Sequence, residues 1–478
     1  MVDKYFQDWK EREALAESMI PLIGRLYRDK NVVTTVYGRS IINRSVIEIL
    51  KSHKFIRQVN DSELTVRDTF PVLQALNGMD LASCRIDIGK LANGYMTSGS
   101  QQSVSDYIKQ ELGELATSGQ SAKATGQDVV LYGFGRIGRL MARILIERAG
   151  GGAGLNLKAI VVRKGKADND LHKRANLLRR DSVHGSFRGT ISVDDDNEII
   201  YANGVAIQVI YASSPDSIDY TRYGIKNAIV VDNTGVWRDE AGLSQHLECQ
   251  GVSKVLLTAP GKGDLKNIVY GVNNRDIDPE DRIISAASCT TNAITPVLKA
   301  IHDQYGVVSG HVETVHSYTN DQNLIDNYHK GSRRGRSAAL NMVITETGAA
   351  KAVAKALPEL KGKLTGSAIR VPTPNVSLAI LNLNLGQTTT LAELNTYLRD
   401  TSLYSSLQKQ VDFVNSSEVV SSDFVGNHKA GIVDSKATIV EGDRCVLYVW
   451  YDNEYGYSCQ VNRILRQISG VNYPIVPA

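Results

Sequence analysis

The sequence predicts an α/β protein in which a doubly wound parallel sheet precedes an α+β part with a mainly antiparallel sheet, after an all-helical N-terminal extension. Short apolar runs such as "DVVLYGFG", "LKAIVVR" and "KVLLTAP" alternate with helical patterns after residue 127, as expected for strands buried on both faces. Beyond residue 289, "SLAILNLNLG" and "RCVLYVWYDN" alternate in a way that favours antiparallel strands. Nearer the N-terminus, "SIINRSVIEILKSHKFI" and "VSDYIKQELGEL" repeat apolar residues at helical spacing.

The bulk composition is that of an ordinary globular protein. The chain has 478 residues, 42% hydrophobic and 22% charged, which is too long for one hydrophobic core. A net charge of +3 does not indicate nucleic acid or an anionic membrane as a partner. The sequence has no apolar run near the roughly 18 residues that a membrane-spanning helix needs. The charged start "MVDKYFQDWKERE" lacks the apolar segment of a secretory signal, so we expect a cytoplasmic protein.

The five cysteines are scattered, and no two have the CxxC spacing of a metal or redox motif. An odd number without regular spacing argues against a disulfide framework and a structural zinc site, and we expect no metal. The cysteines are Cys84, Cys249, Cys289, Cys445 and Cys459.

Composition changes at "TSGQSAKATGQ", a small, polar stretch without apolar periodicity that is typical of a linker. We therefore expect a helical extension over 1–119 and a linker over 120–127. Two further domains, the first over 128–288 and the second over 289–453, and a helical last segment over 454–478 should follow.

The stretch "DVVLYGFGRIGRLMARILIE" has the order strand, Gly-x-Gly-x-x-Gly, helix. Gly133 allows the tight turn, Gly135 lets the backbone approach a pyrophosphate, and Gly138 lets helix and strand pack closely. The N–H groups at the helix N-terminus can then bind the phosphates. This context predicts a Rossmann dinucleotide site rather than a simple glycine-rich turn.

The end of the second strand bears on the choice of cofactor. The fingerprint places Asp or Glu there to bind the ribose 2′-hydroxyl, but this chain has Val162 followed by Arg163 and Lys164. Cations attract a 2′-phosphate, so the pattern favours NADP or the use of both NAD and NADP. The alternative is that both cations are solvated loop charges, because the insertion "GGAG" at 151–154 leaves the register open.

A candidate nucleophile, Cys289, lies in "SAASCTTNAITP", and a histidine that could activate it, His316, lies in "TVHSYTNDQ". A thiol attacks carbon as the thiolate, so a catalytic cysteine needs an imidazole beside it. Taken alone, the two residues prove little, because a buried structural cysteine and a core histidine are the more common outcome.

Together, "YGFGRIGR", "SCTTN", "TVHSYTNDQ", "ITETGAAKAVAKALPELKGKLTGSAIRVPTPNVS" and "WYDNEYGYS" resemble the phosphorylating glyceraldehyde-3-phosphate dehydrogenases. The resemblance extends from Asp128 to Ser469 and leaves the N-terminal extension uncovered. It implies a dinucleotide-binding Rossmann domain over 128–288, a catalytic domain over 289–453 and a helix over 454–478 that returns to the Rossmann domain. It implies that Cys289 attacks the aldehyde while His316 acts as the base, with hydride transfer to NAD(P). Inorganic phosphate then releases the thioacyl-enzyme as 1,3-bisphosphoglycerate, in a reversible reaction.

The resemblance also implies binding residues. The inorganic phosphate would contact Ser288, Thr290, Arg334, Thr347 and Gly348, and the phosphate of glyceraldehyde 3-phosphate would contact Thr319, Asp321 and Arg370. Besides Arg163, the cofactor would contact Gly133, Gly135, Arg136, Ile137, Gly138, Thr234, Gly235, Thr258, Asn453 and Tyr457. A homotetramer is implied as well.

Four positions, at three places in the chain, depart from the family pattern. Val162 replaces the ribose-binding aspartate of NAD-specific members, and Asn327 with Tyr328 replaces a Leu-Pro pair in a loop that reaches a neighbouring subunit's cofactor. Both changes resemble NADP-using relatives. Ala293 replaces a second cysteine near the nucleophile, which should leave the chemistry intact.

Two other functions remain open at this point. Erythrose-4-phosphate dehydrogenase would show the same cysteine, histidine and dinucleotide motifs. A non-catalytic nucleic-acid-binding or scaffold relative could use the basic segments "KGSRRGR" and "KRANLLRR". Aromatic residues are not interleaved with either segment, so a nucleic-acid partner is not expected.

Overall fold

The computed structural model describes residues 2–54, 63–99, 101–116, 126–149, 154–471 and 474–477. Most of the predicted linker, 120–125, and most of the insertion at 151–154 lie outside the described residues. The chain forms two compact units, the first from Met1–Gly126, Ala149–Gly154 and Val471–Ala478. The second consists of Gln127–Arg148 and Leu155–Gly470.

The first unit combines helices with a small sheet. Its helices are α1 (Val2–Lys30), α2 (Val46–Lys54), α3 (Val66–Asn77), α4 (Ile88–Thr97) and α5 (Val104–Leu112). Its strands are β1 (Val33–Val36), β2 (Arg39–Ser40), β3 (Arg85–Asp87) and, from the other end of the chain, Ile475–Val476. The sheet order is β2, β1, β3 and then the C-terminal strand, which runs parallel to β3.

Helices make up most of the extension as predicted, but the expectation of an all-helical extension was wrong. The first three strands are two to four residues long, too short to produce a readable alternation of polar and apolar residues. The fourth strand joins from the far end of the chain, which no local pattern could indicate.

The second unit begins with the predicted doubly wound sheet. Its elements are β4 (Gln127–Tyr132), α6 (Arg136–Glu147), β5 (Leu155–Val162), α7 (Asp170–Arg179), β6 (Ile191–Asp194), β7 (Ile199–Ala202), β8 (Val205–Tyr211), β9 (Ala228–Asp232), α8 (Glu240–Ser244), β10 (Val252–Leu257) and β11 (Ile283–Ser285). The strand order is β11-β10-β9-β4-β5-β8-β7-β6. The strands from β11 to β8 are parallel, and β7 and β6 form an antiparallel edge. The strand order reverses at β4, where this fold binds its ligand.

The rest of the second unit is the α+β part. Its elements are α9 (Cys289–Tyr305), β12 (Val307–Ser317), β13 (Val343–Thr345), α10 (Ala349–Ala356), β14 (Leu364–Val371), β15 (Ser377–Leu385), α11 (Leu391–Tyr404), β16 (Val411–Val414), β17 (Gly431–Asp434), β18 (Ile439–Glu441), β19 (Arg444–Tyr451) and α12 (Tyr455–Ile468). The strand order is β13-β14-β12-β15-β19-β17-β16, with β18 beside β19. Most neighbours are antiparallel, while β12 and β14 run parallel, as do β16 and β17.

The core of the α+β part lies between α9 and the sheet. Ala379, Leu381 and Leu383 alternate with more exposed residues along β15 and pack with Ile294 and Val297 of α9. This packing fixes the first turn of α9 relative to the strands of the sheet.

The segment 454–478 differs from the single returning helix that we expected. Helix α12 ends at Ile468, and Gln467 near its end exchanges two hydrogen bonds with Asn274 of the dinucleotide-binding part. The chain then leaves the helix, and Ile475–Val476 pairs with β3 of the first unit. The other predicted domain boundaries stay predictions. In the described ranges, the helices are too short or too polar to cross a bilayer.

Candidate active site

The three glycines after β4 form the expected turn. Gly133 has a φ of 92°, a conformation that favours glycine, and a Cβ there would lie 3.0 Å from a side-chain carbon of Thr234. A Cβ on Gly138 would lie 2.3 Å from the carbonyl oxygen of Gly133. Gly135 precedes α6 without a side-chain cap, and a Cβ there would meet nothing within 4 Å. The N-terminal N–H groups of α6 therefore adjoin open space of the kind a pyrophosphate needs, and the residues present fit a dinucleotide.

The turn after β9 lies beside these glycines. The carboxylate of Asp232 accepts hydrogen bonds from the backbone N–H and the hydroxyl of Thr234, each at 2.7 Å. Thr258 donates to the Asp232 carbonyl at 3.0 Å, and Gly235 has a left-handed φ of 64°. The predicted residues Thr234, Gly235 and Thr258 thus converge on one turn. The sequence analysis missed Asp232, whose second oxygen lies 3.1 Å from Nε2 of the buried His246.

Arg136 does not present its side chain to the dinucleotide turn. Its guanidinium is bound to Asp181 and in a fork to Glu454, with Nε donating to the Glu454 carboxylate at 2.9 Å. Only its backbone N–H, with that of Ile137, is placed at the N-terminus of α6. The sequence analysis missed this pairing because the three residues lie far apart in the chain.

The carboxylates around Arg136 are held as anions. Burial disfavours the ionised form of Asp181, but the N–H groups of His184 and Val183 and the Arg136 guanidinium outweigh it and lower its pKa to about 2. Burial opposes ionisation of Glu454 too, and Arg136 and His184 lower its pKa.

The end of β5 carries the cations on which the cofactor question depends. Val162 is buried, Arg163 is exposed, and Lys164 lies with Nζ 5.1 Å from the centre of the Tyr211 ring. Asp170, the acidic residue near this loop, is forked to Arg174 at 2.6 and 3.2 Å. This edge of the sheet therefore offers exposed positive charge in place of the expected ribose-binding carboxylate.

Cys289 and His316, which are 27 positions apart in sequence, are in contact. Cys289 is the first residue of α9, and Ser288 caps the helix by accepting from the Thr291 N–H at 3.0 Å. His316 lies near the end of β12 and is 6% exposed. Its Nε2 is 3.5 Å from the Cys289 sulfur, a hydrogen-bond distance for sulfur.

Burial disfavours the charged form of both Cys289 and His316. Burial raises the pKa of the Cys289 thiol, and the nearby Arg370 only partly opposes this. Burial and then Arg370 lower the pKa of His316 to about 3. A thiol therefore faces an uncharged imidazole, which can take its proton when the sulfur attacks.

Arg370 comes to the site through strand register. β12 and β14 run parallel with His316 opposite Arg370. The Arg370 Nη1 lies 2.7 Å from His316 Nδ1 and donates to the Ser317 carbonyl at 2.9 Å. The structure thus brings this predicted phosphate ligand into direct contact with the predicted base.

Tyr451 was missed by the sequence analysis. Its hydroxyl lies 2.9 Å from the hydroxyl of Thr290 and 2.7 Å from that of Thr314. The ring is fully buried and meets the His316 ring edge-on, with centroids 6.0 Å apart. Tyr451 therefore fixes the orientation of Thr290, beside the nucleophile. Its place in the quoted motif "WYDNEYGYS" was the one signal that could have pointed to it.

Two predicted phosphate ligands on the loop between β12 and β13 are linked to each other. Arg334 pairs with Asp321, and its Nη2 and Nε donate to the Thr345 hydroxyl at 2.8 and 3.1 Å. Arg334 and Asp321, assigned to different anion sites, are thus bonded partners, and Thr345 was missed.

The remaining predicted phosphate ligands lie apart from that pair. The Thr347 hydroxyl accepts from the Ala349 N–H at 3.1 Å, and Gly348 precedes α10 without a side-chain cap. Thr319 lies in the loop after β12, where its carbonyl accepts from the Gln322 N–H. No hydrogen bond among the described residues joins Thr319 to Arg370.

Asn453 and Tyr457 lie between the two parts of the unit. Asn453 is buried, and its side-chain oxygen accepts from the Ser377 hydroxyl at 2.9 Å. Tyr457 donates to the carbonyl of Ala287, two residues before the nucleophile, at 2.9 Å. The first turn of α12 is thereby anchored to the turn that precedes Cys289.

Two models of known protein families match parts of this chain. Residues 127–240 match the family model of the glyceraldehyde 3-phosphate dehydrogenase NAD binding domain, and residues 288–453 match that of the C-terminal domain. The chain belongs to the glyceraldehyde-3-phosphate dehydrogenase family. The second match begins one residue before Cys289 and ends at Asn453, so it includes both Cys289 and His316.

The individual relatives differ in how much of this chain they match. A "glyceraldehyde-3-phosphate dehydrogenase-like protein" of Pseudomonas aeruginosa is 65% identical over 461 residues, 96% of this chain and 100% of its own. "Glyceraldehyde-3-phosphate dehydrogenase 1" of Bacillus subtilis is 41% identical over 70% of this chain and 95% of its own length. "Glyceraldehyde-3-phosphate dehydrogenase A, chloroplastic" of maize is 40% identical over 73% of this chain. The Pseudomonas relative therefore shares the N-terminal extension.

Proposed function

We propose that this family member catalyses the phosphorylating oxidation of glyceraldehyde 3-phosphate to 1,3-bisphosphoglycerate, reversibly and with NAD(P). The observation that carries the proposal is the 3.5 Å contact between the Cys289 sulfur and His316 Nε2, with Arg370 on the other side of the imidazole. The proposed nucleophile Cys289 and the cation Arg370, which can bind a phosphate, thus contact opposite edges of the proposed base His316. Family membership supports oxidation of this aldehyde with a nicotinamide cofactor.

The chemical steps follow from the neutral thiol and imidazole. Cys289 passes its proton to His316 as the sulfur bonds to the aldehyde carbon, and His316 returns that proton to the resulting oxyanion, which gives the hemithioacetal and leaves the imidazole neutral again. NAD(P)+, when bound at the turn after β4, would supply the hydride acceptor. His316 removes the hydroxyl proton as the hydride leaves, so the carbon is oxidised to a thioester on Cys289. Inorganic phosphate then displaces the sulfur, and the acyl phosphate departs.

The surrounding residues orient the reactants. In this proposal Arg370 and Thr319 donate to the substrate's phosphate, with Asp321 at the same site as the partner of Arg334, while Ser288, Thr290, Arg334, Thr347 and Gly348 receive inorganic phosphate. An arginine fork and hydroxyl donors suit both anions. Asn453 orients the nicotinamide amide, and Tyr457 keeps the turn before Cys289 in place.

We propose that the enzyme uses NADP, or both NADP and NAD. Arg163 and Lys164 follow the buried Val162 at the carboxyl end of β5, and the nearby carboxylate of Asp170 is occupied by Arg174. A 2′-phosphate would therefore meet cations, whereas a 2′-hydroxyl would find no carboxylate at the end of β5.

We also propose a homotetramer in the cytoplasm. Large apolar side chains on 324–344 are strongly exposed, and a subunit contact would cover them: Leu324, Ile325, Tyr328, Leu340, Met342 and Ile344 are 61–91% exposed. A reducing compartment also suits a nucleophile that must remain a thiol.

The test is the initial rate on glyceraldehyde 3-phosphate with each cofactor, with and without inorganic phosphate, and compared with erythrose 4-phosphate. Phosphate-dependent turnover of glyceraldehyde 3-phosphate is expected, and faster turnover of erythrose 4-phosphate would refute the substrate assignment. Cys289→Ser should lose turnover while remaining folded. The matched control is Cys445→Ala, which removes a buried thiol on β19 and should retain turnover.

A further inference from the structure

Two segments that should bind opposite halves of the cofactor are joined by a fork of hydrogen bonds. The fork runs from Arg136, the first residue of α6, to Glu454, the residue that precedes α12. Arg136 Nε donates to one carboxylate oxygen of Glu454 at 2.9 Å, and Nη2 donates to the other. Two parallel hydrogen bonds between planar groups fix both the distance and the angle between the segments that carry them.

The carboxylate of Glu454 binds the dinucleotide-binding part rather than its own helix. A residue at this position often caps its helix with a side-chain oxygen, but Glu454 makes no such bond to α12. Its second partner is His184, whose Nε2 lies 3.1 Å from the oxygen that Arg136 Nη2 binds. The side chains of Glu454 and His184 are 14% and 6% exposed, so water competes little for these contacts. Glu454 therefore attaches the start of α12 to α6.

Asn453 lies between this attachment and a second one. The carboxylate of the preceding Asp452 accepts from three backbone N–H groups, of which that of Gly426 lies at 2.8 Å. These bonds hold Asp452 in the α+β part, while Glu454 on the other side is held by α6. The Asn453 side-chain oxygen accepts from Ser377, and its amide nitrogen has no hydrogen-bond partner among the residues that the structure describes. That nitrogen is thus available to a ligand.

A dinucleotide has to reach both segments at once. In the proposed function the N–H groups at the start of α6 bind the pyrophosphate, and Asn453 orients the nicotinamide amide. The covalent bonds between these two cofactor groups limit how far apart they lie, so Asn453 meets the nicotinamide only at a set distance from α6. Misplacing a reacting group by about 1 Å can lower a rate about 100-fold. The fork between Arg136 and Glu454 fixes the distance on which this match depends.

We propose that Glu454 is a positioning residue for Asn453: its fork with Arg136 places the Asn453 amide at the distance from the pyrophosphate site that the nicotinamide requires. The inference rests on the proposed function, which assigns the nicotinamide amide to Asn453 and the pyrophosphate to α6. Glu454 acts through its neighbour in the chain and does not itself bind the cofactor. Asp181, the other carboxylate on Arg136, follows α7 and has no such neighbour, so it does not share this role.

The test compares the whole cofactor with the part that lacks nicotinamide, by calorimetry on the full-length protein. NAD and NADP are the whole cofactors, and ADP-ribose and its 2′-phosphate are the matching fragments. Glu454→Gln should raise the Kd of the whole cofactor about tenfold, because the hydrogen bonds to the nicotinamide amide are misaligned. It should leave the Kd of the fragment unchanged, because the N-terminus of α6 is intact. In turnover, kcat should fall about 10- to 100-fold.

Asp181→Asn is the matched control. It also removes a buried carboxylate from Arg136, but it leaves the fork to Glu454 in place. Its effect on stability should resemble that of Glu454→Gln, while both Kd values and kcat should stay unchanged. Asn453→Ala is the reference for a lost nicotinamide contact, and it should weaken binding of the whole cofactor alone.

The inference is overturned if Asn453→Ala weakens the whole cofactor and Glu454→Gln does not. It also fails if Glu454→Gln weakens the fragment equally, or if Asp181→Asn has the same effect as Glu454→Gln. If Asn453→Ala changes neither Kd, the nicotinamide assignment in the proposed function fails, and the inference with it.

If Glu454→Gln does not fold, Arg136→Lys decides by the same comparison, because lysine keeps the charge but cannot form the fork. Binding requires no turnover. The expected difference between cofactor and fragment, in a protein that fails to oxidise glyceraldehyde 3-phosphate, would therefore refute the proposed substrate alone.

Discussion

Replacing Tyr451 by phenylalanine tests whether the Tyr451 hydroxyl orients Thr290, one of the proposed ligands of inorganic phosphate. The hydroxyl lies between those of Thr290 and Thr314, at 2.9 and 2.7 Å. The two threonines are 6% and 1% exposed, so water cannot easily replace the lost contacts. The ring itself would remain, and packing should change little.

The magnitude follows from the two contacts. A buried hydrogen bond contributes about 0.5–1.5 kcal/mol net, so losing both should lower the free energy of unfolding by about 2 kcal/mol. Thr290 would also lose its fixed orientation beside Cys289. Since a hydrogen bond to a charged group contributes about 1.5–3 kcal/mol, we expect the KM for inorganic phosphate to rise about tenfold.

The assay pairs urea unfolding with phosphate saturation curves at saturating aldehyde and cofactor. Thr314→Val is the control, because it removes one of the two contacts but leaves that of Tyr451 with Thr290. It should cost about 1 kcal/mol of stability and leave the KM for phosphate unchanged. The reasoning fails if Tyr451→Phe matches the unmodified protein in that KM, or if Thr314→Val raises it as much.

Three further changes have defined outcomes. Gly138→Ala would place a Cβ 2.3 Å from the Gly133 carbonyl oxygen, and it should lower the unfolding free energy by about 1–3 kcal/mol and weaken cofactor binding, as measured by calorimetry. Arg136→Leu should cost about 3 kcal/mol at neutral pH by leaving buried carboxylates unpaired. The depressed pKa of Asp181, about 2, means that its stabilising effect is present above its unfolded pKa of about 4 and lost as the pH falls toward 2. Arg136→Leu should therefore begin acid unfolding at a higher pH, visible by circular dichroism. Arg163→Ala should reduce kcat/KM with NADP about tenfold and leave that with NAD unchanged, because one charge-assisted contact to the 2′-phosphate is lost; equal losses with both cofactors would contradict the assignment.

The sequence was sufficient where local chemistry determined structure. The glycines at 133, 135 and 138 indicate a dinucleotide site only when a strand precedes them and a helix follows. Both elements could be predicted from the spacing of apolar residues. The pairing of Cys289 with His316 was expected from the needs of a thiolate nucleophile and from the motifs, and the structure places them in contact.

Other features depend on strand register or on the far ends of the chain. Arg370 contacts His316 because β12 and β14 pair in parallel with these two residues opposite each other. The register between two distant strands cannot be read from the sequence of either strand alone. The fork between Arg136 and Glu454 spans 318 positions and requires the folded arrangement of both. The strands of the N-terminal unit were too short for their polar and apolar alternation to be recognised.

The pairing of Ile475–Val476 with β3 has a consequence for how the chain is made. The Arg85 N–H donates to the Pro474 carbonyl at 2.8 Å, and Val476 contributes to the core of the N-terminal unit. During synthesis β3 is made long before Ile475–Val476, and until that segment follows, one edge of β3 is unpaired and can recruit other strands. A chain cut before Pro474 would keep every helix and strand of the second unit, but the sheet of the N-terminal unit would lack its fourth strand.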